Sequence, residues 1–272
     1  MNEFTDKVAL ITGSSRGIGR ILAHHLARGG ARVVVNYRKN ADLAEQVVRE
    51  VEELGGKALA VQADVERAAD LDRLFDEAAG ALGRLDFFVS NAAASAFKNI
   101  LDIEEHHLDR TFATNVKAFV LGAQRAVRMM DRGGRIVAVT SYGSLRAYPT
   151  YANLGAAKAA IETWVRYMGA EFARYGINVN AVNGGVIETD SSEYFYNVPG
   201  MPPLDTVLPK IPKGRMGTAE EMAETIAFLL SPGAEYITGQ TVVVDGGLST
   251  VAPPFHQDAT PPLALGDLRA PQ

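Results

Sequence analysis

Residues 8–26 constrain this chain more than any other stretch. Val8-Ala9-Leu10-Ile11 is a short apolar run of the kind that forms a buried parallel strand. Thr12-Gly13-Ser14-Ser15-Arg16-Gly17-Ile18-Gly19 follows as a glycine-rich turn. Beyond it, Ile18, Ile21, Leu22 and Leu26 recur at helical spacing. A strand, a glycine turn and a helix N-terminus in succession make an anion cradle. Backbone N–H groups and the positive end of the helix dipole face the turn, and the missing side chains let a pyrophosphate come close. Without the strand and helix around them, the same glycines would be only a tight turn.

Length and composition agree with such a fold and close off other classes. The chain has 272 residues, of which 47% are hydrophobic, enough for a large core. A net charge of −5 gives no basic surplus for nucleic acid or an anionic membrane. Cysteine is absent, so disulfides, thiolate metal sites and a Cys nucleophile are excluded. That usage suits a reducing cytoplasm, and MNEFTDKVAL lacks the basic start and apolar stretch of a signal peptide. No apolar run is long enough to cross a membrane.

The spacing Thr12-Gly13, three residues, Gly17-x-Gly19 resembles that of the short-chain dehydrogenase/reductase family. The likeness extends over roughly residues 5–250. It implies a Rossmann-type, doubly wound α/β domain with a seven-stranded parallel sheet, and a nucleotide held by residues 13–19. Strand two, Ala31 to Asn36, then ends where the adenosine ribose would lie. An acid there favours NAD, whereas a 2′-phosphate needs cations. Here Asn36 is followed by Tyr37, Arg38 and Lys39, and Arg16 offers a second cation, so the charges point to NADPH. Arg38 and Lys39 as solvated charges opening the next helix is the plainer alternative.

Helical spacing of Leu43, Val47, Val51 and Leu54 places a helix over 41–54, and Ala58 to Val61 reads as strand three. A further helix begins near Glu66 and runs to about Leu82. The resemblance makes Asp64 the acceptor of the adenine amino group and the Val65 N–H a ring contact; a helix N-cap is the other reading of Asp64. Strand four, Phe87 to Ser90, leads to Asn91-Ala92-Ala93-Ala94, whose small side chains would let the chain pass close to the cofactor ribose. Within a helical region at 104–130, Asn115 matches the family's helix Asn, whose kink holds a water chain; an Asn satisfied by backbone is the alternative. The pairs His24-His25 and His106-His107 are poor metal ligands, because adjacent helical residues diverge.

Chemistry is decided at 141–158. Strand five, Arg135 to Thr140, runs into Ser141. Most of the family carries a Tyr four residues before the active-site Lys, which lowers the phenol's pKa for proton transfer to a carbonyl. At that position before Lys158 this chain has Leu154. Tyr151, seven residues before Lys158, returns to the same helical face but about 10 Å along the axis, against about 6 Å for an offset of four. A phenol so displaced suits an enoyl thioester, whose charge develops on an oxygen some atoms from the carbon receiving hydride. Six residues between Tyr and Lys, with Ser-Tyr-Gly-Ser-Leu-Arg at 141–146, Asn-Gly-Gly at 183–185 and Gly-Arg-Met at 214–216, resemble the NADPH-dependent isoform III of enoyl-[acyl-carrier-protein] reductase.

That resemblance implies Tyr151 as proton donor or oxyanion stabiliser, Lys158 as binder of the nicotinamide ribose, and Ser141 or Ser144 as accessory donor. It implies Ile187 and Thr189 at the nicotinamide carboxamide. The substrate would be an acyl thioester on acyl-carrier protein or coenzyme A, in fatty-acid or polyketide-type metabolism. Tyr142 and Tyr148 are competing donors, so a 3-ketoacyl or carbonyl reductase and a non-catalytic NADPH-binding regulator remain as alternatives. Helix 156–174, with Ile161, Trp164, Val165, Met168 and Phe172 in one stripe, is in the family a contact between subunits, implying a homodimer or homotetramer. Residues 190–213 read as a substrate-covering loop in which Tyr194, Phe195 and Tyr196 line an acyl pocket. Helix 219–230 and strand Thr241 to Val244 complete the domain, and 251–272 is a flexible tail or an arm across a neighbour.

Overall fold

A computed structural model describes residues 3–198 and 200–252, so nearly all of the tail lies outside the described residues. Seven strands form one sheet: β1 (Val8–Ile11), β2 (Arg32–Tyr37), β3 (Lys57–Gln62), β4 (Phe87–Ser90), β5 (Arg135–Ser141), β6 (Asn178–Gly184) and β7 (Thr241–Val244). They pair in the order β3-β2-β1-β4-β5-β6-β7, every neighbour parallel.

Alternation along β1 explains the two helical layers. Ala9 and Ile11 face one core, packed by α1 (Gly17–Arg28), α2 (Ala41–Glu53) and α9 (Ala219–Leu230) through Leu22, Val47 and Ile226. Val8 and Leu10 face the other, against α3 (Ala68–Leu82), α5 (Ala118–Met129) and α6 (Ala152–Phe172) through Leu74, Phe119 and Ile161. With helices on both faces, the strands are apolar throughout rather than alternating. Each fully buried Leu or Ile in these layers contributes about 1.5–3 kcal/mol. Strand order reverses between β1 and β4, which opens a crevice at the carboxyl ends of the strands.

Three boundaries differ from the sequence reading. The third helix starts at Ala68, not near Glu66, because Arg67 N–H closes a turn on the Asp64 carbonyl at 2.9 Å. The region 104–130 divides into α4 (Glu105–Phe112), a π turn (Ala113–Lys117) and α5. Helix α6 begins at Ala152 rather than 156. Gly155 lies inside its first turns, where a Cβ would meet the Gly143 carbonyl oxygen at 2.6 Å. A residue that reads as a helix breaker is thus needed for the close approach of the turn after β5.

Two surface features also differ. Ile161, Val165 and Met168 are buried, but Trp164 of the same stripe is 43% exposed, and Tyr167 one turn on is exposed as well. The rings of His106 and His107 do not diverge but lie 3.8 Å apart. There His107 Nδ1 caps α4 by accepting the Glu104 N–H at 3.1 Å.

Candidate active site

The turn after β1 is built by close approach. Gly13 has a φ of +62°, and a Cβ there would lie 2.9 Å from Ala92 Cα. Thr12 stitches this turn to the end of β4, its hydroxyl accepting the N–H groups of Asn91 (3.0 Å) and Ala92 (3.1 Å). Asn91 Nδ2 donates back to the carbonyls of Thr12 and Gly13. The first N–H groups of α1 have no partners within the helix and open onto the crevice. The sequence reading counted Thr12 in the glycine motif but gave it no role; that it ties the turn to β4 needed the fold.

A cleft of about 520 Å³ follows the crevice from this turn to α6, the size of an ordinary small-molecule site. Of the residues expected at the cofactor, Gly13, Ser15, Arg16, Gly17, Ile18, Asn36, Arg38, Asp64, Val65, Asn91, Ala92, Lys158, Ile187 and Thr189 line it. Ser14, Gly19 and Asn115 do not. Ser14 is buried, its hydroxyl donating to the Ile11 carbonyl at 2.7 Å and accepting the Asn36 N–H at 3.1 Å. A Cβ at Gly19 would meet Ser14 Cα at 2.7 Å, so that glycine serves packing of helix on turn. Asn115 sits behind the cleft in the π turn, giving Nδ2 to the carbonyls of Ala94 (2.9 Å) and Thr111 (2.8 Å).

Asn36 borders the cleft, yet its amide is spent on structure. Its Oδ1 accepts the Gly13 N–H at 3.1 Å, and its Nδ2 donates to the carbonyls of Val61 and Ala63. It braces the glycine turn. Charge at this end comes from Arg38, 4.0 Å from both Asp64 and Glu66, and from Arg16, 3.6 Å from Asp190. The Arg16 pair is largely exposed and the Arg38 pairs, at 4.0 Å, are partly so; both hold weakly, so a phosphate can compete for both guanidinium groups. Asp64 accepts the Glu66 N–H at 3.1 Å, while the N-cap of α3 is Arg67.

Tyr151 is the N-cap of α6, and its carbonyl accepts the Gly155 N–H at 2.8 Å. Thr150 before it has a φ of +61°, a strained position for a β-branched residue. The Tyr151 ring packs on one side of a pair formed by Phe97 (stacked, 5.6 Å between centroids) and Phe195 (edge-on, 5.1 Å), which touch each other at 4.8 Å, and Tyr148 lies 4.8 Å from it. Gly143 faces the ring so closely that a Cβ there would be 2.4 Å from it. Sequence reasoning passed over Phe97, which reaches Tyr151 from a distant segment, and gave Gly143 no role beyond its place in the 141–146 motif. The Tyr151 hydroxyl bonds Ser141 Oγ at 2.9 Å, and burial pushes its pKa up. Burial raises those of Tyr148 and Tyr142 as well. Leu154 occupies the cleft wall.

Lys158 does not bond Tyr151; its buried Nζ donates to the Val139 carbonyl at 2.8 Å, and burial lowers its pKa to about 8. Ser144, the other expected accessory donor, gives its hydroxyl to Glu162 instead. Val186 and Glu188 bond across to Gly217, which leaves the peptide groups of Ile187 turned toward the cleft. Thr189 caps α7 (Asp190–Tyr196), the first element of the covering segment, followed by α8 (Leu204–Val207). Phe195 and Tyr196 line the cleft, whereas Tyr194 does not: it is 67% exposed, its ring 6.1 Å from that of Phe97.

A family model described as "Enoyl-(Acyl carrier protein) reductase" matches residues 13–249. The chain is 68% identical to 1-cyclohexenylcarbonyl-CoA reductase of Streptomyces collinus, over 95% of this chain and 92% of that protein. It is 37% identical to a probable tetrahydroxynaphthalene reductase of Zymoseptoria tritici, over 88% and 93%. Among solved structures, a short-chain dehydrogenase of Burkholderia cenocepacia in complex with NADP superposes with a TM-score of 0.84 at 32% identity, covering 92% of this chain and all (100%) of that one. The chain therefore belongs to the short-chain dehydrogenase/reductases, in the branch described as enoyl reductases. It is an oxidoreductase that works with a nicotinamide cofactor.

Proposed function

We propose that this protein reduces the carbon–carbon double bond of a 2-enoyl thioester with NADPH, the thioester being carried on coenzyme A. The observation that carries the reading is the pairing of Tyr151 with Ser141 while Leu154 lines the cleft. The name of the Streptomyces relative supports coenzyme A over acyl-carrier protein and a role outside primary fatty-acid synthesis. The site fits the cofactor: the Gly13 approach would be closed by a Cβ, and Arg16 and Arg38 border the cleft where a 2′-phosphate belongs. Residues 13 and 15–18 would hold the pyrophosphate, Asp64 and Val65 the adenine, Lys158 the nicotinamide ribose, and Ile187 and Thr189 the carboxamide.

Bound there, the reduced nicotinamide supplies hydride to the β-carbon of the substrate. Tyr151 stays protonated because its phenol is buried, so it donates to the thioester oxygen as negative charge develops. Ser141 fixes the direction of that hydroxyl. Phe97, Tyr148 and Phe195 exclude water and give the acyl group an apolar, aromatic wall. The resulting enolate takes its α-proton from solvent, which completes the reduction. The exposed Trp164 and Tyr167 on α6 suit contact with a second copy of the chain, in a homodimer or homotetramer.

NADPH oxidation with crotonyl-CoA, with acetoacetyl-CoA and with no acceptor tests the reading. Turnover is expected with the enoyl compound; turnover with the keto compound alone would overturn it. Tyr151→Phe should lower kcat by about 10²-fold or more while leaving NADPH affinity in place.

A further inference from the structure

Glu162 stands beneath the cleft with a charge that the mechanism above leaves unused. It lies one helical turn along α6 from Lys158 and is 7% exposed. Three donors converge on its Oε1 at 2.7 Å each: the hydroxyl of Thr140 on β5, the hydroxyl of Ser144 just beyond it, and the side-chain amide of Asn183 on β6. A carboxylate only accepts hydrogen bonds, so this donor set matches an ionised group. The Asn183 amide also donates to the Ser141 carbonyl at 3.0 Å. One carboxylate thus ties the ends of β5 and β6 to the residue that orients the Tyr151 phenol.

A second link is electrostatic. Burial opposes the positive charge of Lys158, and the Glu162 carboxylate is the group that favours it. Lining the cleft with Lys158 are the phenols of Tyr151, Tyr142, Tyr148 and Tyr196, whose pKa values burial raises. Among the described residues, no charge on β5, β6, α4 or the π turn acts on Lys158 beside Glu162.

We propose that Glu162 is a positioning residue of this site: its carboxylate keeps the ammonium of Lys158 charged and holds Ser141 against Tyr151. The proposal rests on the roles given to those two residues above. Its test compares Glu162→Gln, which keeps the size and removes the charge, with Glu162→Asp, which keeps the charge. In the Gln variant, the alkaline limb of NADPH affinity, and of kcat, should move down by about one pH unit. Glu162→Asp should return it toward the parent. Cofactor affinity is read without substrate, so a shift in a protein that reduces no thioester supports Glu162 and sinks the reaction instead. If the Gln profiles superimpose on the parent's and only Tm falls, Glu162 is a structural staple and the proposal fails. Should Gln not fold, Asn183→Ala cuts the link from the carboxylate to the Ser141 carbonyl and should lower kcat about tenfold while the Kd of NADPH stays in place. An unchanged kcat in that variant overturns the proposal as well.

Discussion

Gly143 decides where the Tyr151 ring can rest. Gly143→Ala would set a methyl 2.4 Å from two ring carbons, so the ring must swing off Ser141. We expect a loss of about 1–3 kcal/mol in urea unfolding and a fall of about tenfold or more in kcat/KM, since small displacements of a catalytic group are costly. Leu154 was legible at this scale, because a residue type at a fixed offset from Lys158 is written in the sequence. Gly143 was not: its importance is a contact to a ring eight positions away, set by the strained turn at Thr150. Asn36 was legible as a residue at the ribose end but not in its role. Only the fold shows that its amide is consumed by Gly13, Val61 and Ala63.

At the scale of elements, the end of β2 sets cofactor choice. Arg38 is held only by carboxylates at 4.0 Å, a weak and partly exposed arrangement. Replacing those contacts by a phosphate would give charge-assisted bonds worth about 1.5–3 kcal/mol. Arg38→Ala should therefore raise the Kd of NADPH by about 10–100-fold, with the Kd of NADH almost unmoved; equal losses for both cofactors would remove Arg38 from that role. Titration by fluorescence measures both. On the far side, α7 meets the glycine turn through Arg16 and Asp190, so the covering segment and the phosphate cradle share a cation. The strands, α1, α2 and the helical stretch around Asn115 were legible from periodicity. The split into α4, π turn and α5 and the early start of α6 were not, because packing sets both.

Across the whole molecule, burial of Lys158 links stability to pH. Its folded pKa of about 8 lies below the free value of 10.5. Between those values the unfolded chain binds more protons than the folded one, so stability from this group rises with pH. Below pH 8 the folded ammonium carries its desolvation cost in full, about 3 kcal/mol. Lys158→Met should thus be more stable than the parent near pH 7, inactive, and should lose that advantage between pH 8 and 10.5. Urea midpoints across the range check it. Assembly belongs to this scale too. Tyr167, 71% exposed beside Trp164, is the most open large side chain of the α6 face. A Trp164→Glu/Tyr167→Glu double variant should lower the mass seen in sedimentation, while an unchanged mass would place any subunit contact elsewhere.

The amino-acid sequence alone determined the class of fold and the displaced phenol. A buried parallel strand, a glycine turn and a helix are local patterns, and the offset of Tyr151 from Lys158 is a count along the chain. Tertiary structure decided which of these side chains are free to act. Asn36 and Ser14 turned inward, Ser144 went to Glu162, and Tyr151 was placed on Ser141 against Phe97 and Phe195. The physical reason is that a buried polar group must find a partner. Which partner it finds depends on segments far apart in sequence that the sheet brings within hydrogen-bond distance.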